Sequence, residues 1–439
     1  MAFQRILASP ELALTKSLWN DGRYTFEVIA TPPTLPPAVP QPSLAVAVIV
    51  LAQCLSTSLW FSPSGVADSL MQAWQLSATS FGWLLAATQL GFIAGTLAFA
   101  FSGAADRFQA TRIFVVCSSL GAMANAAVTW GVTDYGVFCC LRFVVGMCLA
   151  GSYPLGMKML VQRVGSKPAA ALGWLVGMLT LGTAMPHGLR ALGQSWPWPE
   201  VLLGSSVLAL LGAALVAWMG PPPKQAASPS QPTAPSPVRL NTQALREVLA
   251  VRGFRASALG YFGHMWELYA FWSVLPWLSV PISRSLVAAG YGWAPSVALV
   301  SFAAIGVGFF GCVLGGMWSR RVGSARVAAT ALAASGLMCL GYPFIPDTWP
   351  LVQLGALLFW GICVVADSPQ FSAMSSQYAP PQWLGSALVL QNGVGFLITV
   401  LSILLLGWAV QHWGSMALWL LAPGPVLGLW ALRPLLKET

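Results

Sequence analysis

The chain has 439 residues, of which 57% are hydrophobic and only 8% are charged. An ordinary globular protein carries about a quarter charged residues, so these charges could not cover the surface of a water-soluble protein of this length. The composition therefore excludes a soluble globular domain and indicates that lipid is the main solvent. The net charge of +9 does not indicate a nucleic-acid partner, because membrane proteins accumulate Lys and Arg on their cytoplasmic side.

Twelve stretches of the sequence are long and apolar enough for a membrane span, which needs roughly 20 residues. They cover residues 43–70, 78–102, 111–131, 136–158, 168–190, 199–219, 255–280, 293–317, 326–345, 350–374, 383–410 and 414–434. This pattern predicts an all-α integral membrane protein with twelve transmembrane helices.

A stretch rich in Pro, Ser and Ala follows the sixth span and divides the twelve spans six and six. Such a composition is typical of a linker. We therefore predict an N-terminal six-helix bundle at 43–219, a cytoplasmic linker with a short amphipathic helix at 220–253, and a C-terminal six-helix bundle at 254–434. Residues 1–42 are predicted to be a disordered Pro-rich tail, and residues 435–439 a short C-terminal tail.

The positive charges are distributed unevenly between the two sides of these spans. With both termini in the cytoplasm, all but three of the 21 Lys and Arg residues fall on the cytoplasmic side, the exceptions being Arg142, Arg190 and Arg284. Such an asymmetry is typical of multi-pass membrane proteins. It predicts a protein of the cell inner membrane with both termini cytoplasmic, and a monomer is expected.

The two halves of the sequence carry related segments. D-R-F-Q-A-T-R (Asp106 to Arg112) follows the second span, and R-R-V-G-S-A-R (Arg320 to Arg326) follows the eighth, at the corresponding place in the second half. Repeats of this kind predict two related bundles around a binding site near the membrane midplane.

These motifs resemble those of the major facilitator superfamily. S-G-A-A-D-R-F-Q-A-T-R resembles the family's loop signature after the second span, with Asp106 and Arg107 in matching places and Arg112 as its remaining later basic residue. L-R-F-V-V-G-M resembles the R-x-x-x-G signature of proton-coupled members, through Arg142 and Gly146. The resemblance implies two pseudo-symmetric six-helix bundles and transport by alternating access. The stretches 150–158 and 260–272 are similar to parts of bacterial permeases grouped loosely with nitrate/nitrite carriers.

The resemblance also implies gating residues. In the family the loops after the second and eighth spans form cytoplasmic charge clamps, and the matching positions here are Asp106, Arg107, Arg112, Arg320 and Arg321. A further gate between the halves could join Lys158 of the fourth span to Asp367 of the tenth. The alternative is that these two residues cap their own helices.

Glu267 lies about twelve residues into the seventh span, which places it near the bilayer centre. A charge there costs roughly 2.5 to 3.5 kcal/mol, so this carboxyl should face a cavity, hold a partner or be protonated. His264 lies three residues earlier on the same helical face, and the two groups together suit the loading and unloading of a proton. The alternative is a structural hydrogen bond from a neutral Glu267 to another helix.

Arg142 keeps its charge inside the fourth span, so we expect it to hold a partner or an anion. Asp68 at the end of the first span is the expected partner, and a purely structural ion pair is the alternative. Further polar or aromatic residues at membrane depth could line a substrate cavity or could join helices. They are Gln53, Thr57, Tyr153, Gln391 and Asn392.

The sequence thus predicts a secondary active transporter that moves a small polar or anionic solute by alternating access, coupled to protons. Its expected partners are this small-molecule or small-anion substrate, protons and the lipid bilayer. No metal or other cofactor and no enzymatic activity are expected, because nucleotide-binding motifs and catalytic clusters are missing from the sequence. The alternatives are a drug/proton antiporter and a transporter-derived sensor that binds without transport.

Overall fold

The computed structural model describes residues 44–164, 168–221 and 242–437, and the regular elements in these ranges are all helices. The first half contains α1 (Leu44–Thr57), α2 (Ala67–Trp74), α3 (Ala78–Ser102), α4 (Ala104–Arg107), α5 (Ala110–Ala127), α6 (Tyr135–Val164), α7 (Pro168–Leu192) and α8 (Trp198–Met219). The second half contains α9 (Thr242–Ala250), α10 (Arg252–Ala288), α11 (Val297–Gly306), α12 (Gly308–Val322), α13 (Ser324–Gly341), α14 (Pro350–Ala366), α15 (Ser368–Tyr378), α16 (Leu384–Trp413) and α17 (Pro423–Leu436). The predicted N-terminal tail and the linker residues 222–241 lie outside the described residues.

The structure confirms an all-α, multi-pass membrane protein. Eight segments of its described part are long and apolar enough to cross a membrane by length and composition, and the last of these, 381–436, contains both α16 and α17. α1 is a shorter apolar helix of 14 residues. Large side chains such as Leu210, Phe310 and Leu401 are exposed on the outside of the helices, where lipid replaces water as their environment.

Three of the predicted spans are divided into two α-helices in the structure, and a fourth, 414–434, begins with a 3-10 helix over Gly414–Leu421 before α17. The sequence patterns at 43–70, 293–317 and 350–374 predicted continuous helices, and each is in fact a pair of helices. The interruptions lie at residues 58–66 between α1 and α2, at Val307 between α11 and α12, and at Asp367 between α14 and α15. A proline lies in or just after the first and third interruptions, at Pro63 and Pro369, where its missing N–H weakens the helical hydrogen-bond ladder.

The backbones of α3 and α6 are in direct contact. A Cβ atom on Gly91 would clash with the carbonyl oxygen of Phe143, and one on Gly146 would clash with the carbonyl oxygen of Thr88. Small residues permit such close approach between membrane helices. This contact holds Arg142, which lies one turn before Gly146 on α6, against α3.

The two halves meet where α3 packs against α16 and where α7 packs against α11 and α12. At one end of the bundle, Arg163 at the end of α6 donates a hydrogen bond of 3.2 Å to the carbonyl of Gly220 after α8. The same end carries Arg107, Arg320 and Arg433, and we call it the arginine-rich end. Because α10 runs from this end through the whole bundle, its residues mark successive depths along the surface where the halves meet.

α9 lies where the sequence predicts a short amphipathic helix. Val248 packs with Phe254 and Ala387 in a small apolar cluster, and Trp383 donates its indole N–H to Glu247 across 2.5 Å. The apolar face of α9 therefore contacts the start of α10 and of α16 at the arginine-rich end.

Candidate functional site

Arg142 is fully buried inside the first half. It donates hydrogen bonds to backbone carbonyls in the interruption of the first span. Its side chain donates to Thr88 Oγ1 (3.1 Å), Ser62 Oγ (3.1 Å), Asn125 Oδ1 (2.8 Å), and the carbonyls of Leu59 (3.0 Å) and Trp60 (2.7 Å). Carbonyls freed from helical bonding at membrane depth need such donors. The expected pairing with Asp68 was wrong. The N–H groups of Arg142 donate instead to acceptors in the interruption and on neighbouring helices, and Asp68 is exposed in the first turn of α2.

Sequence reasoning missed the residues that surround this guanidinium. Asn125 accepts from Arg142 and donates in turn to the carbonyl of Leu202 (2.9 Å) and to Ser206 Oγ (3.0 Å). The signal was present, since a lone Asn within an apolar span commonly hydrogen-bonds across helices. Asn125 thereby ties α5 to α8 and to the Arg142 site.

Glu267 is buried within the second half among donors from two neighbouring helices. Trp360 Nε1 donates to Oε1 across 2.7 Å, Ser335 Oγ donates to Oε2 across 2.8 Å, and Cys339 Sγ lies 3.3 Å from Oε1. These partners belong to α13 and α14, so the carboxyl of Glu267 points away from the surface where the halves meet. The structure does not bring Glu267 and His264 together as a pair, because the two side chains leave α10 towards different neighbours.

His264 instead pairs with Asp367. The two side chains are each 1% exposed, and His264 Nδ1 lies 2.8 Å from Asp367 Oδ1. Asp367 occupies the interruption between α14 and α15, where the chain is free to turn this carboxyl towards α10. In this conformation Asp367 pairs with His264, and the gate between Lys158 and Asp367 stays a prediction. Lys158 donates to the carbonyl of Ala105 across 2.6 Å, near the arginine-rich end.

This His–Asp pair lies beside the surface where the halves meet. α15, which begins directly after Asp367, contacts α7 of the first half. Cys312 of α12 donates its thiol to the carbonyl of Val365 across 3.4 Å, and the Cys312 backbone lies against Gly173 of α7. The pair is therefore close to the contact between the two halves.

The predicted polar residues have different partners. Thr57 is buried between α1 and α7, where its hydroxyl donates to backbone carbonyls, including that of Leu179 at 3.3 Å. Gln53 packs against Gly156 of α6. Within the described part of the chain, the Gln53 amide and Gln391 Oε1 are buried without a hydrogen-bond partner, while Tyr153 and Asn392 are partly buried.

An aromatic layer closes the surface between the halves beyond the His–Asp pair. Trp60 lies 5.7 Å from Tyr269 and 5.8 Å from Phe396, measured between ring centroids. Phe92 lies 4.3 Å from Phe396, and the layer continues from Phe61 to Trp272 at 6.1 Å. Because both halves contribute rings, a separation of the halves would part the layer.

A cavity of about 240 Å³ lies further along α10, past the aromatic layer and away from the arginine-rich end. The first half lines it with residues from 64 to 69 and from the end of α7, and the second half with Pro276 and the start of α11. We call it the end cavity.

The predicted gating arginines at the arginine-rich end are exposed. Arg107 ends α4, Arg112 lies in the first turn of α5, and Arg320 and Arg321 lie in the last turn of α12. The side chain of Asp106, the acidic member of the predicted clamp, lies outside the described residues. The role of these five residues stays a prediction.

The family model of the Major Facilitator Superfamily matches residues 49–403. Over 159 residues the chain is 28% identical to a proposed niacin/nicotinamide transporter of Bacillus subtilis (strain 168), a match that spans 33% of this chain and 36% of that protein. It is 22% identical to the gallate transporter of Pseudomonas putida over 356 residues, which cover 75% of this chain and 77% of that one.

Solved structures share the fold at low sequence identity. The crystal structure of the nucleoside transporter NupG covers 90% of this chain with a TM-score of 0.65 and 14% identity, and all of the NupG chain is covered. A bacterial homolog of the human lysosomal transporter Spinster, in an inward-facing and unoccupied conformation, covers 91% of this chain and 96% of its own, with a TM-score of 0.62 and 16% identity. These likenesses agree with the helical architecture, and the family match over most of the sequence shows that the chain belongs to the Major Facilitator Superfamily of membrane transporters.

Proposed function

We propose that this transporter moves a small organic anion by alternating access, and that the His264–Asp367 pair couples this movement to protons. The observation that carries the proposal is the burial of this pair, at 1% exposure for each side chain and 2.8 Å between them. An ionisable group at membrane depth is costly unless it is paired or neutral. Taking up or releasing a proton would change that balance, and imidazole is the side chain best suited to do so near neutral pH.

The substrate class is supported by the two relatives and by the side chains at the surface where the halves meet. Gallate and niacin are both small aromatic carboxylates. Such a ligand needs flat apolar surfaces for its ring, which Trp60, Tyr269 and Phe396 offer, and hydrogen-bonding groups for its polar edge. Gln53 and Gln391 have buried polar atoms without a partner. We therefore propose an aromatic carboxylate as the substrate.

Alternating access would rock the two halves about their contacts. In this conformation the aromatic layer closes the path on one side of the His–Asp pair, so one step must part Trp60 from Tyr269. We propose that Asp106, Arg107, Arg112, Arg320 and Arg321 control the other side, at the arginine-rich end. We further propose that this end and both termini face the cytoplasm, with the protein acting as a monomer in the inner membrane.

Proteoliposomes loaded with buffer test this proposal. Radiolabelled gallate and nicotinate are added outside with an inwardly directed proton gradient, and uptake is compared among the wild type, Asp367→Asn and His264→Gln. We expect the gradient to drive accumulation in the wild type. Gradient-driven uptake should fall at least tenfold in both variants. Exchange of labelled for unlabelled substrate should persist, because substrate binding and the rocking of the two halves do not need the proton.

The exposed residue Glu200 of α8 supplies the matched control, since Glu200→Gln also removes one carboxylate and should transport normally. Gradient-driven uptake that is unchanged in Asp367→Asn would remove the pair from the coupling step. A wild type that binds gallate but shows neither uptake nor exchange would instead indicate a binding protein without transport.

A further inference from the structure

Two buried polar side chains line the end cavity. His187 and Ser64 both line it and are each 1% exposed. Among the residues that the structure describes, His187 Nε2 and Ser64 Oγ are buried without a hydrogen-bond partner. Buried polar atoms are seldom left unsatisfied, because each such atom loses its hydration without replacement. The two atoms therefore indicate a site that a polar ligand completes.

The cavity also presents charge of both signs. Arg190 lies three residues after His187 on α7, on the same helical face, and Asp68 lies in the first turn of α2. Arg190 uses one N–H group in a hydrogen bond to the carbonyl of Trp196, and this bond holds the side chain at the cavity. A guanidinium has five N–H donors, so other donors of Arg190 can bind a ligand. A ligand there would meet a planar cation suited to carboxylates and a carboxylate that accepts hydrogen bonds.

The size and position of the cavity fit a small ligand on its way to the surface where the halves meet. Its volume of about 240 Å³ lies just below the range of roughly 300–1,000 Å³ that drug-sized ligands occupy. The aromatic layer from Phe61 to Trp272 separates it from the His–Asp pair. Residue 276 on α10 is twelve positions beyond His264, so the cavity lies about 18 Å from the pair along the helix axis.

We infer that the end cavity is a second binding site, specific for a small carboxylate that also carries hydrogen-bond donors at its opposite edge. Arg190, His187 and Ser64 bind the carboxylate, and Asp68 accepts from the donors. The inference rests on the proposed function for its choice of ligand, but the site itself does not depend on proton coupling. Gallate has this arrangement of groups, whereas benzoate has the carboxylate without the donors.

Calorimetric titration of gallate into the full chain in lipid nanodiscs tests the inference. We expect two gallate molecules per wild-type chain and one per Arg190→Gln chain, with Arg190→Lys keeping two at weaker affinity because the charge remains. A wild-type ratio of one that Arg190→Gln leaves unchanged, or no binding of gallate, would overturn the inference.

A labelling experiment keeps the test independent of the folding of the Arg190 variants. Ser69 is a partly buried residue of the cavity wall, so Ser69→Cys places a thiol beside the ligand, and the wild-type chain reports background labelling of the native cysteines. Gallate should slow maleimide modification of the introduced thiol at concentrations about tenfold below those needed for benzoate, and Asp68→Ala should abolish this difference because it removes both accepting oxygens. Equal protection by the two acids before Asp68 is changed would contradict the role of Asp68 and overturn the proposed specificity.

The two proposals fail in distinguishable ways. Gradient-driven gallate uptake with a single bound gallate that does not respond to Arg190→Gln would remove the second site and leave the proposed function standing. Two bound gallate molecules without any uptake would leave the end cavity as a binding site and remove the transport of gallate.

Discussion

The guanidinium of Arg142 donates to the carbonyl oxygen of Trp60 across 2.7 Å, which is one of three hydrogen bonds that join α6 to the interruption in the first span. The indole of Trp60 is part of the aromatic layer, where its ring is nearly parallel to that of Phe396 at 5.8 Å. Arg142 therefore fixes the backbone that positions the layer. Its role in this conformation is to stabilise a broken helix, which differs from the anion-binding or ion-pairing role that its charge alone suggested.

Changing Arg142 should destabilise the protein even when the charge is kept. Arg142→Gln leaves buried carbonyls and hydroxyls without donors, and each buried polar group left unsatisfied costs about 1–3 kcal/mol. Arg142→Lys should recover little, because an ammonium has three donors and lacks the planar geometry. Thermal unfolding in detergent checks both variants. Arg112→Gln, at an exposed arginine, is the control, and an Arg142→Lys protein as stable as the wild type would refute this explanation.

Glu267→Gln should affect stability more than coupling. The carboxylate accepts hydrogen bonds from Trp360 and Ser335, and an amide would oppose one of these donors with its own N–H₂ group. A buried group left unsatisfied costs about 1–3 kcal/mol, so the unfolding temperature should fall. Gradient-driven gallate uptake should remain within about twofold of the wild type. If uptake were lost while exchange persisted, as expected for Asp367→Asn, Glu267 would be assigned to the proton pathway as well.

A methyl group at Gly146 should disrupt the contact between α3 and α6. Its Cβ would meet the backbone of α3 at Thr88, and backbone cannot yield as a flexible side chain does. Forcing extra atoms into packed interiors costs about 1–3 kcal/mol or more. Gly393→Ala in α16 is the matched control because its Cβ meets nothing within 4 Å, so it should be neutral or mildly stabilising. Yield and unfolding temperature measure the difference, and equal behaviour of the two variants would contradict the packing argument.

Removing one ring of the aromatic layer should make transport leaky. Trp60→Ala leaves a gap between Phe92, Tyr269 and Phe396, so gallate should cross down its own gradient several-fold faster in the absence of a proton gradient. Preloaded proteoliposomes at equal internal and external pH measure this efflux. Trp218→Ala removes the same side chain from a position that is 71% exposed on α8, and it should leave efflux unchanged. Efflux that is equal in the two variants would show that the layer is not a barrier.

The sequence was sufficient for the architecture because the bilayer imposes strict rules on length and polarity. The predicted second span coincides with α3, Ala78–Ser102, since continuous apolar runs must become helices in lipid. The sequence failed to predict the interruptions near Pro63 and Asp367, because contacts with side chains of other helices are made there and such contacts cannot be derived from hydrophobicity along the chain. The sequence also identified candidate functional residues, because an ionisable residue within an apolar span is rare. They are Glu267, His264, Asp367 and Arg142.

The sequence by itself thus determined that this is a helical membrane protein and which few polar residues lie at depth, because both follow from hydrophobicity along the chain. The partners of those residues were decided by the tertiary structure alone. His264 is three positions from Glu267 but pairs with Asp367, more than a hundred residues away in the sequence. Side chains three positions apart on a helix point in directions that differ by roughly 60°, and which neighbouring helix each side chain meets depends on how the whole bundle packs.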